Sequence, residues 1–96
     1  MFVNIMQFPY VTAEHEEEFL RWFKWSNEQY IKHPGFIRRI LLKSRKQGNY
    51  AVIMEHESYE TFMAMHTSPD QAAAYKTLKS IQAEGPIAQF YELAEG

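Results

Sequence analysis

The sequence predicts an α+β fold of the ferredoxin-like kind, βαββαβ, with a four-stranded antiparallel sheet and its helices on one face. Three observations predict it. Hydrophobic periodicity reads strand–helix–strand, then strand–helix–strand again. A loop of turn residues, Arg45-Lys46-Gln47-Gly48-Asn49, joins the two halves as a hairpin. Two helix-start signals, at Ser58 and at Ser68-Pro69-Asp70-Gln71, then follow each other within one crossover. Right-handed crossovers place the first and third strands at the centre of the sheet.

Phe2 to Phe8 is the first strand, and Pro9 ends it. Alternation puts Val3, Ile5 and Gln7 on one side and Phe2, Asn4, Met6 and Phe8 on the other. Thr12 is placed to cap the next helix, and Glu14, Glu16, Glu17 and Glu18 crowd its first turns, which suits the helix dipole. Phe19, Leu20, Phe23, Ser26, Asn27 and Tyr30 form a helical stripe, with Trp22 and Trp25 beside it. His33-Pro34-Gly35 stops this helix. Phe36 to Lys43 is the second strand, and Tyr50 to about His56 the third. Ser58 starts a short helix carrying Phe62, Met65 and His66. Ser68-Pro69 starts a longer one, reaching about Ile81. Gly85-Pro86 breaks the chain before a last strand, Ile87 to Leu93.

The 96 residues suffice for one domain, 1–96, with a modest core. Seven Phe, six Tyr and two Trp exceed what such a core needs, which points to a ligand pocket or a subunit interface. With helices on one face only, Phe2, Met6 and Phe8 are expected on the bare face. A homodimer, with the two sheets packed as a dimeric α+β barrel, would bury them. A net charge of -2 gives no bulk attraction to nucleic acid or an anionic membrane, and the basic residues 38–39 and 43–46 suit the solvated end of a hairpin. Without cysteine there is no disulfide, thiol nucleophile or thiolate metal site. No apolar run is long enough to span a bilayer and the first residues lack a signal-peptide pattern, so a cytoplasmic location is expected.

In order along nearly the whole chain, several short pieces together resemble the antibiotic biosynthesis monooxygenase domain family. They are the opening strand, Glu18-Phe19, His33-Pro34-Gly35-Phe36, Glu55-His56-Glu57-Ser58 leading into Glu60-Thr61-Phe62, Thr67-Ser68-Pro69, and Phe90-Tyr91-Glu92-Leu93. The resemblance implies a dimeric α+β barrel. It also implies a monooxygenase or quinol oxidase that acts on a small hydrophobic aromatic ligand without a bound cofactor. A haem-degrading branch of the family uses an Asn, a Trp and a His. Those positions fall here on Gln7, Met65 and Tyr75, which keep only the amide character and offer a tyrosine in place of the histidine ligand; haem is the alternative the resemblance offers. A non-catalytic ligand-binding or stress-related dimer is the third reading.

Cofactor-free oxygenation needs an apolar pocket, a group that takes a proton, and hydrogen-bond donors where negative charge gathers on oxygen. Four residues are candidates for the polar work. His66 shares the face of Phe62 and Met65, and histidines ordinarily titrate near neutrality. His56 ends a strand, Gln7 interrupts an apolar alternation, and Tyr75 offers a hydroxyl from the long helix. Phe19, Trp22, Phe23, Phe62 and Met65 are the candidate walls. No histidine pair has the spacing of a metal site, and no metal is expected.

Overall fold

A computed structural model describes residues 1–46 and 48–96. Gln47, in the predicted hairpin loop, lies outside the described residues. The elements are β1 (Phe2–Gln7), α1 (Ala13–Tyr30), β2 (Phe36–Lys43), β3 (Tyr50–His56), α2 (Tyr59–His66), α3 (Pro69–Ile81) and β4 (Ile87–Glu92). The strands form one antiparallel sheet in the order β2-β3-β1-β4. β1 and β3 are central, as the crossover rule requires. No helix among the described residues is long and apolar enough to cross a membrane.

Local chemistry explains the breaks. Ser58 and Thr61 form a reciprocal capping box at the start of α2: the Thr61 amide donates to the Ser58 hydroxyl (3.1 Å), and the Ser58 amide donates to Thr61 Oγ1 (3.3 Å). Ser68 accepts from the Gln71 amide at the start of α3, where Pro69 opens the helix. The Gln71 side chain does not complete that box. It is drawn across to α1, where the Tyr30 hydroxyl donates to Gln71 Oε1 (2.5 Å). Thr12 makes no side-chain cap. Gly35 turns at φ 84°, in the left-handed region that glycine permits, and a Cβ there would run into Thr61.

The helix-covered face is the reverse of the sequence expectation. Phe2, Asn4 and Phe8 are buried beneath the helices with Val52, Met54 and His56, while Val3, Ile5 and Gln7 look out from the other side. Met6 shares the covered side and packs against the core. Both faces of β1 are apolar, and period two gives the alternation without saying which face the helices cover. The uncovered face is nonetheless apolar. Ile40, Ile53 and Ile5 stand opposite one another across three strands. Val3, Leu42 and Ile87 lie on the same side.

Under the helices the core divides in two. Phe8, Phe19, Trp22, Tyr50, Val52 and Leu78 anchor one cluster. Phe2, Tyr30, Met54, Phe62, Met65 and Ala74 anchor the other. The Trp22 indole bridges α1 to α3 by donating Nε1–H to the Ala74 carbonyl (2.9 Å).

Candidate active site

Between these clusters the packing leaves a cavity of about 160 Å³. Its floor is the sheet. Arg39, Met54, Asn4 and Phe90 form a row across β2, β3, β1 and β4, each paired with the next. α1 supplies Trp22 and Tyr30, and α2 supplies Phe62, Met65 and His66. α3 contributes Gln71, Tyr75 and Leu78, and Pro86 with Ala88 completes the rim. His66, Tyr75 and Phe90 are exposed, so they stand at the mouth, while Asn4, Arg39 and Tyr30 are buried at the base.

The base is the polar end. Arg39 is only 7% exposed. Its Nη1 donates to Ser26 Oγ (2.9 Å) and to the Phe23 carbonyl (3.3 Å). The guanidinium carbon lies 4.4 Å from the Phe23 ring centre, 4.8 Å from that of Tyr30 and 5.4 Å from that of Trp22. Burial pushes its pKa down to about 10, opposed by the Tyr30 hydroxyl. Tyr30 is pushed up by its own burial, which outweighs the pull of Arg39. Two buried polar atoms here lack a protein partner, Asn4 Oδ1 and Arg39 Nε. Buried groups are normally satisfied, so these two orphans call for an explanation.

Arg39 reaches the cavity through a register shift. Phe36 pairs with His56 and Arg38 with Glu55, so Ile37 is an extra residue in β2. Strict alternation from Phe36 would send Arg38 inward and Arg39 outward. The bulge reverses this, and bulges commonly re-aim side chains beside active sites. Arg38 instead lies on the uncovered face, paired with Glu55 through two bonds of 2.9 and 3.2 Å.

The residues expected from sequence divide into two groups. His66, Tyr75, Trp22, Phe62 and Met65 line the cavity together. The His66 ring stacks on Phe62, with centroids 5.2 Å apart and planes 17° apart, which fixes its aim at the mouth. Gln7, His56, Phe19 and Phe23 are elsewhere. Gln7 is exposed on the opposite face of the sheet, because β1 presents its even-numbered residues to the helices. His56 is fully buried, with Nδ1 at 3.1 Å from Thr61 Oγ1 and Nε2 at 3.4 Å from Met65 Sδ. It ties β3 to α2 and does not reach the cavity. Phe19 is sealed in the first cluster, and Phe23 packs behind Arg39. Reading the sequence misses Asn4, Arg39, Tyr30 and Gln71 as site residues. For Asn4 the available signal is a polar residue between Phe2 and Met6. For Arg39 there is none, since the bulge is invisible to a period-two reading.

The split also bears on haem. Gln7 lies across the sheet from Met65 and Tyr75, so the three positions do not form one site. A cavity of about 160 Å³ is close to one known to hold benzene. A tetrapyrrole is much larger than this enclosed space. Among the described residues there is also no group of three or more histidine or carboxylate side chains placed to hold a metal ion.

The sequence profile described as antibiotic biosynthesis monooxygenase matches residues 1–77. The chain belongs to the antibiotic biosynthesis monooxygenase family. No curated protein matches it in sequence. Its fold is that of solved structures of the family. One is a Nitrosomonas europaea protein named for the family, with TM-score 0.84 and 20% identity over 99% of this chain and all of that one. A Deinococcus radiodurans protein, likewise named, has TM-score 0.89 and 13% identity over all of this chain and 95% of that one. SnoaB of Streptomyces nogalater, described as a cofactor-independent oxygenase, has TM-score 0.81 and 18% identity over 99% and 94%. At these identities the likeness establishes the antibiotic biosynthesis monooxygenase fold, and the chemistry has to be argued from the cavity.

Proposed function

We propose that the protein is a cofactor-independent monooxygenase acting on a small, electron-rich aromatic molecule held between the helices and the sheet. One observation carries this reading. An aromatic and methionine-lined cavity, open at one end, brings His66 and Tyr75 together at its mouth in a chain of this family. Phe62, Met65 and Trp22 supply the apolar walls that hold a ring system and exclude water. His66 takes a proton from the activated carbon of the substrate, leaving an electron-rich anion that meets oxygen. The Tyr75 hydroxyl donates to the negative charge that then gathers on oxygen. For an activated methylene, the substrate and one dioxygen molecule give a carbonyl and one water. One oxygen atom enters the product as the methylene carbon is oxidised, and the other leaves with both methylene hydrogens, so no external reductant is required. The protein works as a homodimer, with the apolar open faces of two sheets against each other.

Oxygen uptake tests the reading. With a panel of one- and two-ring phenols that carry an activated methylene, the wild type is expected to consume oxygen faster than buffer for at least one compound. Isotopically labelled dioxygen should place one atom in the product. His66→Ala is expected to lose about 10²-fold in rate, the usual scale of a proton-transfer group. Tyr75→Phe should lose less. Wild-type rates equal to buffer on every compound, or variants matching the wild type, would remove the assignment.

A further inference from the structure

Arg39 brings a positive charge into an apolar cavity, and among the described residues no carboxylate lies within ion-pair distance of it. Buried cations are rarely left in this state, because desolvation costs several kcal/mol and normally demands a counter-charge. Three aromatic rings and two oxygen acceptors offset part of that cost. The guanidinium keeps its charge: with its pKa at about 10 it is protonated roughly a thousand to one at pH 7. Nε has no partner. Two strands away in the same row, Asn4 is 3% exposed and its Oδ1 is also unpartnered. At about 4.8 Å per strand their backbones lie roughly 10 Å apart. Between them Met54 offers a flat apolar floor.

We propose that Arg39 makes this cavity a site for an aromatic oxyanion: a one- or two-ring molecule whose acidic hydroxyl is bound as the phenolate against the guanidinium. The ring lies over Met54 beneath Phe62, and a second polar substituent is held at Asn4. The bound hydroxyl loses its proton to solvent, ArOH → ArO⁻ + H⁺, with no oxidant involved. In the oxygenase reading, on which the catalytic meaning of this site rests, Arg39 selects acidic phenols and holds them in the form that oxygen attacks. The binding itself does not depend on that reading.

The probe is 4-nitrophenol, whose phenolate absorbs in the visible, with nitrobenzene as the uncharged match. Bound to wild type, 4-nitrophenol is expected to titrate about one to three pKa units below its value in buffer, the range an adjacent opposite charge produces. In Arg39→Met that shift should vanish while nitrobenzene still binds. Arg39→Gln serves the same purpose if the Met variant does not fold, and the wild-type titration stands without either. The proposal is overturned if bound 4-nitrophenol titrates as in buffer, or if its shift survives in the variant. It is equally overturned if nitrobenzene binds and 4-nitrophenol does not, or if neither binds. A shift that depends on Arg39, with no oxygen uptake on any phenol, would leave the anion site standing and remove the oxygenase.

Discussion

Burial of His56 has a consequence that pH exposes. Desolvation, with His33 nearby, holds its imidazole below the ordinary 6.5, and Glu57 opposes them. The unfolded chain therefore takes up a proton near 6.5 that the native protein refuses until lower pH. Stability present above that value is lost as pH falls below it. The urea midpoint is expected to drop between about pH 7.5 and pH 5. His56→Leu, although less stable overall, should show a flatter dependence. An equal slope in both proteins would mean that another group governs the acid limb. The same residue illustrates what sequence could not say. A histidine at the end of a strand suits a site and a core equally well, and only the hydroxyl of Thr61 and the sulfur of Met65 decide between them. Asn4 and Gln7 pose the matching problem. Both are amides in an apolar strand, three residues apart and so on opposite faces. Choosing between them needs to know where the helices lie.

Elements were more legible than side chains. The positions of α2 and α3 follow from Ser58 and from Ser68-Pro69, since each supplies an oxygen where helical amides lack partners. Thr12 looks equivalent in sequence but bonds no amide of α1 through its side chain. The contrast is testable. Ser58→Ala should lower stability by about 1 kcal/mol, and Thr12→Ala by much less, in chemical denaturation. Equal losses would show that the observed cap bonds do not account for the difference. β2 is where element-level reading failed. Its length and position were readable, but the extra residue at Ile37 changes which of two adjacent arginines faces the cavity. A bulge leaves no mark in composition or period. It follows from how the end of β2 must meet His56, and that is a tertiary constraint.

For the whole molecule, topology was readable because crossover handedness leaves few ways to arrange two strand–helix–strand units. The existence of an apolar open face was readable too, from an excess of hydrophobic residues over one core. The residues that make it were not. Phe2 and Phe8 belong to the core, and Ile5, Ile40 and Ile53 stand at the centre of the bare side. Three adjacent, half-buried isoleucines on an uncovered sheet face form the kind of patch that a second copy covers. Ile5→Lys, which adds a charge at that centre without touching the cavity, is expected to convert a dimer to a monomer in sedimentation. A wild type that sediments as a monomer, or an Ile5→Lys protein that remains dimeric, would place the subunit contact elsewhere or nowhere.

Most of the cavity, including His66 and Tyr75 at its mouth, comes from one stretch of chain, and a short later stretch completes the rim. Asn4, Arg39 and Met54 fall inside residues 1–77, the part that carries the family pattern, while Pro86, Ala88 and Phe90 follow it. β4 is an edge strand, held only by β1, and every one of its residues is exposed. Its one firm anchor to the core is Phe90, whose ring packs edge-on against Phe2 and Phe62. Exchanging Ala88 for a larger residue would narrow the entrance from that exposed strand and leave Asn4, Arg39 and Met54 beneath it untouched.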